Sequence, residues 1–164
     1  MDKPLNQDEA LYVCLYAKEF PAQSLLRFRS EVRDTPCVVL DGERPQRYVC
    51  SLNSRARRLG IVPGMTQVEI DTFPSMTVLS RVRAEEGTTK AALLQCASAF
   101  SPRVEDQSND NNFLCVIDIA GTEKLFGVPR TLAEALLERV EALAIAARIT
   151  VSRNFHAAVS LARG

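Results

Sequence analysis

Few residues in this chain have chemistry to offer. Arg55, Arg57 and Arg58 form a basic run, and Arg47, Arg81 and Arg83 could reinforce it. Guanidinium groups hold phosphate oxygens through paired N–H donors, so the run is a candidate phosphate contact. At helical spacing residues 55, 58 and 59 share one side, while Arg57 points elsewhere. Asp118 stands near the end of the apolar segment Phe113 to Ile119, and Asp110 lies in the polar stretch before it. Carboxylates so placed could hold a hard divalent cation, provided several oxygens converge on one point. Read alone, Glu105, Asp106 and Asp110 suit a solvated hairpin turn, because Asp and Asn favour turns. Phosphate-loop, GxGxxG and GxSxG signatures are missing. The single histidine, His156, has no acid or nucleophile at a recognisable spacing and reads as a solvated or packed side chain.

Composition narrows the classes further. The 164 residues are 46% apolar and 24% charged, with 20 basic and 20 acidic side chains. That is the balance of a soluble globular protein without a whole-chain basic field, so only local patches could bind a polyanion. The five cysteines form no CxxC pair, and no secretory signal precedes them. They read as reduced, buried thiols of a cytoplasmic protein, and no ligand spacing fits structural zinc. No apolar run reaches the roughly 20 residues that span a bilayer, so no membrane partner is expected. Residues 1–9 are polar and read as a short flexible tail.

The elements that must position these groups follow from patterning. Leu11 to Ala17 is an apolar run suited to a central strand. A helix follows from Phe20 to Arg29, with Pro21 at an early position. Cys37 to Leu40 and Tyr48 to Ser51 read as a hairpin. Asn53 or Ser54 caps a short helix that Gly60 ends. Met65 to Asp71 is a second short helix, and Met76 to Leu79 a short strand. Arg83 to Phe100 reads as a longer helix with an apolar stripe. Phe113 to Ile119 is the second strong strand. A helix from Thr131 to Leu143, a strand at Arg148 to Ser152 and a helix from Asn154 to Arg163 complete the order. Strands flanked by helices imply a sheet with helices on a face.

Three segments share a resemblance. VCSLNSRARRLGIVPGMTQVEIDTFPSMTVL (Val49 to Leu79), VIDIAGTEKLFG (Val116 to Gly127) and ITVSRNFHAAVSLARG (Ile149 to Gly164) are similar, in order and spacing, to motifs of the Y-family (UmuC-type) DNA polymerases. The resemblance implies an α+β fold: a ferredoxin-like polymerase palm with an inserted small fingers lobe. The palm would take residues 10–27 and 75–164, and the fingers 28–74. On the same match, the family's thumb and little-finger domains would be absent from this chain.

In that family phosphoryl transfer uses two metals about 3.5–4 Å apart, held by carboxylates on adjacent palm strands. Placed on the family's motifs, the first metal-binding acid falls on Tyr16 and the next on Lys18. The Asp-Glu pair falls on Phe113 and Leu114, with Asp118 matching a later Asp of the same motif. Sliding the polar loop could bring Asp110 to the site instead. Tyr16 and Phe113 are expected to fill the space where the metals would sit. The aromatic gate against ribonucleotides falls on Pro21. Among the triphosphate contacts, a tyrosine falls on Ser54, the arginine is kept as Arg57, and two lysines fall on Phe155 and Val159.

This pattern of loss resembles the ImuB-like catalytically inactive branch. It implies a DNA-repair and damage-induced mutagenesis adaptor without catalytic residues, metal or cofactor. Its partners would be DNA, bound weakly through Arg55, Arg57 and Arg58, together with a sliding clamp and an error-prone replicative-type polymerase. It would act in the bacterial cytoplasm, at the nucleoid where DNA is damaged. Two other readings stand beside it. One is an active translesion polymerase fragment using Mg²⁺ with Asp110 and Asp118. The other is a protein interaction module with a reused palm fold.

Overall fold

The computed structural model describes residues 9–164; the expected tail, residues 1–9, lies outside them except for Glu9. The larger sheet grows from β1 (Tyr12–Ala17), whose Val13, Cys14 and Leu15 have no solvent exposure. Burial on both faces is what a continuous apolar run demands. β1 pairs antiparallel with β6 (Phe113–Asp118) on one side and with β7 (Arg148–Ser152) on the other. β5 (Val104–Asp106) closes the order β5-β6-β1-β7 as a hairpin with β6. Sequence reading missed β5 and put Glu105 and Asp106 in a turn. The strand has only one apolar residue, and pairing with β6 outweighs its weak local pattern.

Helices cover one face of this sheet. α4 (Arg83–Ser98) and α6 (Pro129–Ala142) bring Leu93, Ala97, Leu132, Leu136 and Val140 onto Val13, Leu15, Phe113, Cys115 and Ile117. Strand, helix, two strands, helix and strand in the order 4-1-3-2 is the ferredoxin-like arrangement expected from the sequence. On the other face α7 (Phe155–Arg163) packs Ala158 and Ala162 against Cys14, Leu114 and Val116. Asn154 caps that helix by accepting from the Ala157 N–H at 3.0 Å.

The segment between β1 and α4 builds a second sheet. α1 (Phe20–Leu26) leads into β2 (Cys37–Asp41), which pairs antiparallel with β3 (Tyr48–Leu52) and parallel with β4 (Thr77–Ser80). The strand at 77–80, assigned above to the larger lobe, therefore belongs to the smaller sheet, because β2, buried from Cys37 to Leu40, needs a partner on each edge. α2 (Ser54–Arg58) is capped by Asn53, whose Oδ1 accepts from the N–H of Ala56 and of Cys37, both at 3.0 Å. α3 (Gln67–Ile70) starts at a Thr66–Glu69 capping box, which offers two orphan donors their partners. Two small elements remain: a turn of helix, α5 (Glu123–Phe126), and the loop leading to α6.

Candidate functional site

The strand ends nearest the smaller lobe carry the candidate positions. Tyr16 lies directly opposite Leu114, and Ala17 opposite Phe113. Opposed residues share a face, with Cβ atoms about 4.5–5.5 Å apart. Tyr16 and Leu114 therefore stand together on the α7 face. Leu114 is buried and Tyr16 half-buried, at the edge of a cleft of about 250 Å³ that Gln107, Asn109, Asn112 and Arg163 also line. That lining is neutral apart from one cation. Phe113 does not join it. As its neighbour along the strand it points to the opposite face, packing on Phe20 with ring centroids 5.6 Å apart. The expectation that Phe113 fills an ion space is thus corrected by strand alternation. Lys18 is exposed just past the end of β1 and lines a shallow cleft with Tyr16 and Arg148.

Neither remaining acid reaches this point. Asp118 pairs with Tyr12, four residues along β6 from Leu114 and therefore about 13 Å away at the usual strand rise. There it accepts from the Ala120 N–H at 3.0 Å and pairs with Arg103 at 3.4 Å. Asp110 is held in an ion cluster at the junction of the sheets. Arg81, its side chain only 3% exposed, donates to Asp110 at 3.0 Å, to Asp41 at 3.2 Å and to both oxygens of Glu86 at 2.8 and 2.9 Å. Arg83 also binds Asp110, and reaches Asp41 at 3.3 Å. The Arg83 guanidinium hydrogen bond, with help from Arg81, holds the Asp110 carboxyl below its usual range. Sliding Asp110 into the cleft would break this cluster. Arg81 and Arg83 are likewise no extension of the basic run, and Arg47 donates to Ser80 at 2.6 Å.

The basic run splits around α2. Arg55 faces Asp34 at 3.7 Å, and Arg58 is exposed with no ion pair among the described residues. Arg57 turns the other way, to Glu19. Glu19 takes the left-handed backbone conformation, φ 53° and ψ 43°, immediately before α1. Its Oε2 accepts from the Ser51 hydroxyl at 2.7 Å and the Leu52 N–H at 3.0 Å. On α7, Phe155 packs edge-on to Tyr12 at 5.7 Å, and Phe155 and Val159 both pack against the sheet. The two positions matched to lysines are therefore apolar anchors.

Comparison with known proteins fits this geometry. The impB/mucB/samB family matches residues 15–162. The chain belongs to that family, the UmuC-type Y-family polymerase domain. A curated relative, DNA polymerase IV of Alkaliphilus oremlandii (strain OhILAs), is 30% identical over 94 residues, covering 57% of this chain and 23% of the relative. Among solved structures, an insertion ternary complex of Dbh DNA polymerase superposes with TM-score 0.74 at 18% identity, over 93% of this chain and 45% of the other. DinB from Sulfolobus solfataricus gives TM-score 0.73 at 16% identity with the same coverage. The chain thus spans less than half the length of each of these proteins, and the fold is that of their palm and fingers region.

A family palm implies divalent metal, and the residues here do not fit it. Tyr16, Leu114 and three neutral amides offer no anionic oxygen, whereas Mg²⁺ is held through carboxylates. Among the described residues no three His, Cys, Asp or Glu side chains stand close enough to share an ion. Two residues of consequence escaped the sequence reading. Arg81 reads as a free cation in the sequence because two of its three carboxylate partners, Asp41 and Asp110, lie 40 and 29 residues away. Glu19 looked like any acid before a helix, and only its backbone conformation shows where the side chain is aimed.

Proposed function

We propose that this chain is the palm-and-fingers part of a catalytically inactive, ImuB-like adaptor in translesion synthesis and damage-induced mutagenesis. The observation that carries the reading is the Tyr16–Leu114 pair across β1 and β6, standing where the family's metal-binding acids would face each other. Transfer of a phosphoryl group needs charge stabilisation that a phenol and an isobutyl group do not supply. The chain would contribute to DNA binding through Arg55 and Arg58, while Arg57 is engaged by Glu19. Further partners, a sliding clamp and an error-prone replicative-type polymerase, follow from the family resemblance, as does a place at damaged DNA in the bacterial cytoplasm. Among the described residues no helix is long and apolar enough to cross a membrane.

Calorimetric titration with Mn²⁺ tests the metal-free centre. No saturable site is expected, and a site lost in Asp110→Asn or Asp118→Asn would favour the active-polymerase alternative. The reused interaction module is separated by salt-dependent binding to primer–template DNA. The adaptor reading predicts log affinity falling with log salt, with a shallower slope after substitution of Arg55, Arg57 and Arg58. A flat response would favour the module.

A further inference from the structure

A part-buried anion cradle in the fingers is already filled by the protein's own side chain. The Glu19 carboxylate receives the Arg57 guanidinium, the Ser51 hydroxyl and the Leu52 N–H, all from the smaller lobe. A guanidinium, a hydroxyl and a backbone N–H converging on one point form a donor set suited to a phosphate group as well as to a carboxylate. The set is assembled by the short turn from β3 into α2, so its donors are fixed by the fold. Glu19 reaches it from the other lobe, at the end of β1, and does so from a left-handed backbone that non-glycine residues seldom adopt. That conformation is held by the Asn112 side chain accepting from the Glu19 N–H at 3.2 Å and by the Phe20 N–H donating to Asn111 at 2.9 Å. Strained backbone retained with its side chain fully engaged marks a position that the surrounding structure over-determines. Glu19 also lies on the wall of a cleft of about 290 Å³ between the lobes. Lys18 and Arg33 line the same cleft, neither in an ion pair among the described residues. Glu19 is the one acid of that lining, so without it the charged side chains left there would be Lys18 and Arg33, in an otherwise neutral wall.

We propose that Glu19 is a built-in competitor for phosphate: it occupies the Arg57–Ser51–Leu52 cradle, latches the fingers to the palm, and excludes polyphosphate anions from the cleft. The proposal rests on the adaptor reading only in treating the cradle as one no longer used for substrate.

Inorganic tripolyphosphate is the probe, titrated calorimetrically into the native chain, Glu19→Gly, Glu19→Gln and Glu19→Gly/Arg57→Ala. Glycine suits the left-handed conformation and removes the carboxylate. Glutamine keeps an oxygen for Ser51 and Leu52 while freeing the charge of Arg57. Where the glycine variant melts too low to titrate, the glutamine variant carries the test. The expected result is at least tenfold tighter tripolyphosphate binding by the Glu19 variants than by the native chain, reverting when Arg57 is removed. A larger rise in Tm with added tripolyphosphate should accompany the gain. Equal binding by the native chain, or a gain that persists without Arg57, would overturn the proposal. Primer extension by Glu19→Gly separates this idea from the functional reading. Tripolyphosphate binding without extension supports both, whereas extension overturns the inactive-adaptor reading and leaves the competitor role standing.

Discussion

Replacing Arg81 by Met removes the cation that joins the two lobes while keeping most of the side-chain volume. Three carboxylates lose a partner unequally. Asp110 is 64% exposed in its side chain and Asp41 28%, so water recovers much of what they lose. Glu86 is 12% exposed and accepts a bidentate pair, so it bears most of the loss. Its place near the start of α4 returns about 0.3–1 kcal/mol through the helix dipole. Breaking a buried pair by deleting one partner costs about 3–5 kcal/mol. Discounting for the two hydrated partners and the dipole leaves an expected loss of about 2–4 kcal/mol, read by urea unfolding. Glu86→Gln in the same background should recover part of it, because the uncompensated charge is then gone. A loss below about 1 kcal/mol, in the range of exposed pairs, would refute the view that this cluster is a buried latch.

Other consequences follow from the same geometry. Tyr16→Asp places a carboxylate at the edge of a polar cleft beside Arg163, so thermal melts should show a loss of about 1–2 kcal/mol, mostly lost aromatic packing, with no gain of activity; a loss above about 4 kcal/mol would mean the cleft is closed to water. Burial raises the thiol pKa of Cys14 and Cys50 to about 11 and of Cys37 to about 12. The unfolded chain ionises these thiols first, near about 8.5. Their contribution to stability is therefore complete below that pH and is lost as pH rises towards 11–12; an unfolding free energy flat from pH 8 to 11 would contradict it.

How much of this was legible in the sequence depends on how local the signal is. β1 and β6 announce themselves by unbroken apolar runs, and α2 and α7 by Asn53 and Asn154 at their starts. The facing of Tyr16 on Leu114 follows from those two strands and a gapless register. β5 was hidden, because Val104–Asp106 has no pattern of its own and exists by pairing with β6. The side chain of Phe113 was assigned to the site because position in a motif says nothing of which face it occupies. The Arg81 cluster and the Glu19 cradle join residues far apart in the chain, and such contacts leave no trace in spacing.

The central claim is the absence of phosphoryl transfer at the Tyr16–Leu114 centre. Primer extension with all four nucleotides, in Mg²⁺ and then Mn²⁺, tests it most directly. The account predicts an unextended primer in both; nucleotide incorporation that disappears on changing Asp118 to Asn would contradict it.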